Sequence, residues 1–441
     1  MKNLSLFGLG VLGMLSSSVM AQQAEIQYFR PYDQTGIHMF ETPKEDSVAY
    51  TGLKVRVGGH FSQTYQGIRH SNSALPNMNS ATPPQNLNQL REITPGFNLA
   101  TANLNIDVQL ADGVRMNLVT YLSSRHHPET WVKAGFIQFD KLPFLKSAAI
   151  DNAMQYLTIR VGQMQINYGD AQFRRADNGN GMYQPFVGNY ILDAFDTQIG
   201  SEIIFQNNGW IGMLAMTSGE NKGLVVPGPN NPNDPNTRIL PAFYGKFGYD
   251  KQMNEDLRLR LTGSVYHTGS SARSFLYDGD RAGSRYYFAM ENILASTASP
   301  HLSGQFIPGF NDQVTAFMIN PFVKWKGFEF FGTYEASNGR AHAETSSRSV
   351  QQVAGELIYR FGKTENFFVG GRYNQVSGTL ASAGAEQVSV DRVQVGAGWF
   401  LTRNIMFKGE YVNQNYNGYP AANRFAGGNF NGFMLEAAVG F

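Results

Sequence analysis

At the end of the chain every second residue repeats its environment. Over residues 432–441, Phe433, Leu435, Ala437, Val439 and Phe441 share one face, and Met434, Glu436, Ala438 and Gly440 the other. Successive side chains of an extended strand point to opposite sides, so faces this different belong to a strand set between two media. The same period runs through 404–413, where Ile405, Phe407, Gly409 and Tyr411 alternate with Met406, Lys408, Glu410 and Val412. It returns in 391–400, ending at Trp399 and Phe400, and in 366–375. Further strands are expected near 54–66, 97–110, 114–123, 131–139, 156–167, 196–206, 210–217, 242–250, 256–268, 313–324, 327–336 and 350–360, about 16 in all. Alternation slips at 162–166, which reads as a bulge or a stretch near a rim.

Connections fall into two kinds that largely alternate. Tight ones lie at 111–113, 207–209, 326–327, 362–364 and 401–403; longer ones at 67–96, 168–195, 218–241, 269–312, 337–349, 376–387 and 414–431. Residues 285–293 resemble an extra strand, but counting it breaks the even number, so they are kept inside the 269–312 loop. Trp210, Trp325 and Trp399 sit next to tight turns and Trp131 at the other end of a strand, where amphipathic rings meet a lipid headgroup layer.

Residues 1–21 read as a secretory signal: Lys2, an apolar run over 4–15, and small or aliphatic residues at Val19, Met20 and Ala21. Cutting there leaves 420 of the 441 residues. There is no cysteine, and the 35 basic and 34 acidic residues almost balance, so no basic excess points to nucleic acid. Charged residues are only 16%, with 32 Phe, 21 Tyr and 47 Gly, yet no apolar stretch after the signal is as long as a spanning helix. A sheet with one greasy face accounts for this. In hydrocarbon its edges cannot stay unpaired, since each bare backbone group costs several kcal/mol, so the sheet must close. The fold expected is all-β: a closed antiparallel transmembrane β-barrel over 51–441. Residues 22–50 are too irregular for a spanning strand and are expected to lie in the periplasm or enter the barrel as a partial plug.

The second face of these strands carries Arg56, Arg115, Lys133, Arg160, Lys246, Arg258, Arg260, Arg360, Arg372, Arg392 and Lys408, against Asp107, Glu202, Glu356, Glu410 and Glu436. A water-filled lumen holds such charges; a dry interior does not hold them unpaired. The 11 bases against 5 acids suggest a mild anion preference. Arg258 and Arg260 share a face and, with Arg360, Arg372 and Arg392, suggest an arginine ladder, although bases that merely solvate the lumen and pair with Glu356 and Glu410 fit as well.

With its alternating run closing on Phe441, the chain resembles Gram-negative outer-membrane porins, nearest the Bacteroidota type and more weakly the phosphate-selective porins. That resemblance implies a passive channel for small polar or anionic solutes in the bacterial outer membrane. It also implies Phe441 as the signal read by the barrel assembly machinery, and admits a homotrimer. Porin loops often fold inward, and 168–195 is the best candidate constriction: Asp170, Arg174, Arg175 and Asp177 lie close in sequence among flexible glycines. Acids on a loop facing bases on a wall create a transverse field that filters solutes. An ordinary solvated loop is the plainer alternative, and 269–312 is the rival plug.

Enzyme chemistry finds little support. His126–His127 has no third ligand at useful spacing, and no catalytic triad motif appears. Tyr168-Gly169-Asp170 and the Asn-Gly-Asn-Gly run at 178–181 lack the strand–loop–helix setting of a phosphate loop. The Asp/Asn-rich run at 228–236 lacks the regular spacing of a calcium loop. No cofactor and no metal is expected. The competing function is a non-enzymatic anchor or interaction barrel of a secretion or adhesion system.

Overall fold

The computed structural model describes residues 23–123, 130–220, 239–279, 285–296, 303–381, 384 and 386–441. The expected signal at 1–21, the His126–His127 pair and the 228–236 run lie outside these residues. In chain order the strands are β1 (Lys54–Ser71), β2 (Gly96–Phe97), β3 (Thr101–Ala111), β4 (Val114–Ser123), β5 (Thr130–Phe139) and β6 (Leu157–Gln165). They continue as β7 (Thr197–Asn207), β8 (Trp210–Thr217), β9 (Ala242–Gln252), β10 (Leu257–Thr268), β11 (Gln313–Trp325) and β12 (Phe328–Arg340). The last are β13 (Arg348–Phe361), β14 (Phe367–Thr379), β15 (Gln387–Thr402), β16 (Ile405–Asn417) and β17 (Asn429–Gly440).

Each long strand pairs antiparallel with the next, and the sheet closes on itself. β17 runs against β1 from His60↔Gly440 to Ser71↔Asn429, while the lower part of β1 pairs β3 from Lys54↔Gln109 to Ser62↔Thr101. Above the end of β3, the two-residue β2 takes over against Tyr65 and Gln66. The wall is therefore a closed antiparallel barrel of sixteen strands with β2 as an inset. No helix among the described residues is long and apolar enough to cross a membrane; here the strands form the wall.

The two ends differ. One carries tight turns such as Trp325-Lys326-Gly327-Phe328 and is called the turn end; the other carries the long connections. The 140–156 connection at the turn end is longer than its fellows and contains a short helix, Ala148–Met154. The outward face is an apolar band: Leu214 is 75% exposed, and Leu357, Val395 and Leu435 more than half. Near the turn end an aromatic belt runs through Trp325, Phe328, Tyr359, Phe361 and Phe367, with ring centroids 4.7–6.2 Å apart. Trp131 departs from the expected girdle: its ring lies against the buried Tyr121, on the inner side.

Three expectations need correction. Several strands run further toward the loop end than alternation alone indicates: β1 reaches Ser71, β12 Arg340, β14 Thr379 and β16 Asn417. There the outward residues become polar (Asn413, Asn415, Asn429 and Asn431 are hydrogen-bonded to one another), so the apolar half of the pattern fades while the ladder continues. Secondly, of the two readings of the slip at 162–166 the bulge is excluded, since the β6–β7 ladder is unbroken from Leu157↔Phe205 to Gln165↔Thr197; the stretch is the loop-side end of β6, which stops at Gln165. Met164 and Ile166 point inward and are buried, alternating with the half-buried glutamines Gln163 and Gln165, which reverses the usual polarity. Thirdly, the interior is not simply wet. In its loop-side half, inward residues such as Val314, Met318, Val350, Val376, Val390, Val412 and Phe430 are buried in an apolar cluster. Their partners are Val187, Ile191, Leu192, Leu276, Tyr286, Met290 and Phe306 from the two long inward connections.

Candidate functional site

The 166–196 connection leaves β6 and turns into the barrel. Gly169 has φ +68°, and a Cβ there would lie 2.2 Å from the Met318 sulfur, so the close approach to β11 requires glycine. The turn presents Asp170 to β9 and β10. Its carboxylate accepts from Arg260 (2.7 Å, twice), Lys246 Nζ (2.9 Å) and Thr262 (2.7 Å), and its N–H donates to Asn320 (2.8 Å). Glu41, from the segment before β1, shares the same two bases at 3.1 and 2.8 Å. Burial alone would raise both carboxyls; Arg260 and Lys246 outweigh it and hold them well below the usual range.

Arg174 points to another part of the wall. It pairs with Glu329 and, at 3.1 Å, with Glu356. Those acids are also held by Arg360 (3.0 Å) and Arg372 (2.6 Å), and Tyr190 donates to Glu356 at 2.6 Å. Arg175 forms a bidentate pair with Asp193 (2.8 and 2.6 Å) and lies 3.6 Å from Asp177. Asp177 pairs with Lys133 on β5 and accepts from Tyr121 on β4. The four expected constriction residues are thus all inside the barrel, but not in one cluster. Asp170 faces β9–β10, Arg174 faces β12–β14, and Arg175 with Asp177 faces β4–β5. Each is at most 4% exposed and bound to opposite charge, so they do not form the bare transverse field their spacing suggests.

Backbone groups carry the loop round the rest of the circumference. Asn178 donates to the Ala102 and Leu122 carbonyls. Lys408 donates to the carbonyls of Gly181, Gln184 and Phe186 at 2.7–2.9 Å while paired with Glu436 at 2.8 Å. Glu410 accepts the N–H groups of Val187 (2.7 Å) and Gly188 (3.3 Å), and the Ile191 N–H donates to Asn374. A loop whose amides and carbonyls are taken up by wall side chains is fixed in place, because releasing it strands polar groups in a low-dielectric interior.

The remaining expected wall residues also point inward with partners. Arg115 meets Asp107 (3.4 Å) and Gln138, and Arg160 meets Glu202 (2.9 Å). Arg258 and Arg260 share a face as expected, bridged by Asp250 at 2.7 and 2.9 Å. Arg360 and Arg372 are tied to different acids, and Arg392 donates to Gln414 and to the carbonyls of Asn189 and Gly304, so no ladder of bare guanidinium groups results. Asp250, Glu329 and Glu335 on the same wall were missed. Glu329, Phe331, Thr333 and Glu335 share one face of the expected 327–336 strand, and that alternation would have found the last two.

Tyrosines were missed as well. Tyr168 and Tyr277, one from each inward connection, both donate to Glu335 (3.1 and 2.7 Å), and Tyr286 donates to Glu410 (2.6 Å). The rival loop therefore lies in the barrel together with the favoured one. Residues 285–296 within it are turns and an isolated bridge, Leu90↔Asn292, rather than a spanning strand.

The segment before β1 crosses the turn end. The Gln34 N–H donates to the Arg403 carbonyl (2.8 Å), His38 lies 3.3 Å from Glu365, and Lys44 donates to the Asp140 and Leu157 carbonyls (3.0 and 2.6 Å). A cavity of about 600 Å³ lies beside it, bordered by His38, Glu41, Lys44, Trp210, Asp250 and Arg258. Among the described residues no group of three or more His, Cys, Asp or Glu side chains is arranged to hold a metal.

No family model matches the chain. No curated protein matches it in sequence. Its architecture is similar to that of the outer membrane channel DcaP of Acinetobacter baumannii, at TM-score 0.50 and 11% identity over 89% of this chain and 99% of that one. It is equally similar to an anion-selective porin from Comamonas acidovorans, at TM-score 0.50 and 10% identity over 88% of this chain and 100% of that one. At such identities the likeness is one of fold alone, a closed antiparallel barrel.

Proposed function

We propose that the chain is an outer-membrane channel for passive diffusion of small polar solutes or ions, with the 166–196 loop as its constriction. The observation that carries this reading is the loop's path across a charged lumen, tied to acids and bases on β5, β9, β10 and β12 through β16. Asp170, Arg174, Arg175 and Asp177 set the width indirectly, by fixing the loop, and a homotrimer and recognition of Phe441 by the assembly machinery belong to the same reading. Ion preference is expected to be slight and toward anions, since Asp250, Glu329 and Glu335 offset part of the basic excess on the wall.

A second reading, a non-conducting anchor or interaction barrel, is favoured by the apolar packing between the inward connections and the loop-side wall. Planar-bilayer recording separates the two. The channel reading expects small steps from the wild type and larger ones from Arg174→Ala/Arg175→Ala, with a reversal potential in a salt gradient close to zero. A silent wild type together with a silent loop-shortened variant would sink the channel.

A further inference from the structure

The connection from β5 to β6 sorts its residues by polarity along the chain. Apart from Lys146 and Ser147, residues 143–150 are all apolar, whereas Asp151, Asn152 and Gln155 follow them. Phe144 is 60% exposed and Leu145 48%, and Ala148 and Ala149 are exposed beside them. Covering such side chains is favourable wherever an apolar medium is within reach.

That medium is within reach, because the apolar part is continuous with the outward band. Gln138 faces the lumen with Arg115, so Phe139, the next residue, faces out. The Phe144 ring meets the Phe139 ring edge-on, with centroids 6.4 Å apart. At the other root the Tyr156 ring lies 6.2 Å from that of Phe205, which is exposed on β7. Farther from the turn end, Ile137, Val161 and Ile203 continue the band across three strands, each more than a third exposed.

Both roots are fixed. The Asp140 N–H donates to the Gly113 carbonyl (2.7 Å) and the Gln206 N–H to the Tyr156 carbonyl (2.9 Å). Lys44 holds the Asp140 and Leu157 carbonyls together. Between the roots, Lys146 ends the Pro143–Leu145 turn at φ +46° and is exposed. Its ammonium has no ion pair among the described residues, whereas Lys141 is tied to Asp46 (2.6 Å) and Asp112 (3.2 Å). An exposed apolar pair next to a free lysine matches a lipid surface, where the chains take the apolar groups and the headgroups the cation.

We propose that the 140–156 connection is a foot resting in the lipid surface at the turn end, with Phe144 and Leu145 among the acyl chains and Lys146 against anionic headgroups. This rests on the outer-membrane reading and adds to it a lipid-binding element outside the spanning strands.

The chain has no cysteine, so a nitroxide can be attached at a single introduced thiol. Barrels carrying Phe144→Cys, Leu145→Cys, Asp151→Cys or Val161→Cys are folded into phosphatidylglycerol vesicles. Electron paramagnetic resonance then compares collisions of each label with oxygen and with a water-soluble nickel chelate. Val161→Cys, on the wall, sets the lipid value and Asp151→Cys the water value. The oxygen-to-nickel ratio at Phe144→Cys and Leu145→Cys is expected to be at least ~5-fold above that at Asp151→Cys, since a polar chelate is excluded from hydrocarbon. Ratios as low as that of Asp151→Cys, with Val161→Cys still reading lipid, overturn the foot alone; a low ratio at Val161→Cys as well overturns the membrane reading with it. Broadening at Leu145→Cys that vanishes on dilution with unlabelled barrel would place a second copy on this surface and overturn lipid as its occupant. Lys146→Gln should lower the Leu145→Cys ratio ~5-fold in phosphatidylglycerol but not in phosphatidylcholine, the effect of one charge near an anionic surface. Equal behaviour in the two lipids overturns the headgroup contact.

Discussion

Two seams of one wall behave as opposites. β14 and β15 are in register without a break from Phe367↔Trp399 to Thr379↔Gln387, whereas the ladder between β5 and β6 ends after five rungs. Both regions place valines on the outward face at similar exposure, Val395 at 57% and Val132 at 54%. The outward apolar pattern is therefore alike, and what differs is one extra residue, Lys133, left in β5 by a register shift opposite Val119 and Thr120, and one glycine, Gly162, whose φ is +140°. Alternation decides which way side chains point; bulges and positive φ decide how far a ladder between neighbours runs.

The widest predicted gap between the regions comes from proline. Val395→Pro removes a ladder donor in a strand paired on both sides and should abolish assembly, read as loss of the heat-modifiable band on gels; Val132→Pro should still assemble. Equal failure of both would erase the distinction. Next are the charge anchors. Glu356→Ala leaves Arg372 buried without its acid and should cost about 3–5 kcal/mol in urea unfolding. Lys133→Ala should cost less than half of that, because Asp177 keeps Arg175 and Tyr121. Hydrogen exchange followed by mass spectrometry should show amides of 130–134 exchanging about a hundredfold faster than those of 393–397, as expected for local rather than global opening; matched rates would contradict a loose seam. Smallest is Gln163→Leu, which removes the bond from the Gln163 amide to the Lys133 carbonyl (3.2 Å), worth about 1 kcal/mol, and should further accelerate exchange near Lys133 while leaving 393–397 unmoved.

Much of this is legible in the sequence. Alternation located all sixteen long strands, and the inward direction of Arg260, Arg372 and Lys408 follows from period two alone. The destination of each charge was not legible. Arg174 and Arg175 are adjacent in sequence, yet one meets Glu356 on the wall and the other Asp193 within the loop itself, because a turn with no fixed period decides where each side chain goes. The apolar loop-side interior was hidden for a similar reason: Val350, Val376 and Val412 read as ordinary strand residues until Val187, Ile191 and Phe306 from distant connections cover them. The seam left one trace, the irregularity near Gly162, whose meaning depends on Lys133 nearly thirty residues earlier.

The filled interior also restricts the order in which the molecule can be made. Lys408 grips three carbonyls of the inward loop within 181–186, and the segment before β1 spans the opposite mouth. A ring already fastened where β1 meets β17 would have to swallow these pieces through mouths that the pieces themselves narrow. The contents must therefore be gathered while the sheet is still a curved, unfinished wall, and the closing stitch between its first and last strands comes after its cargo is aboard.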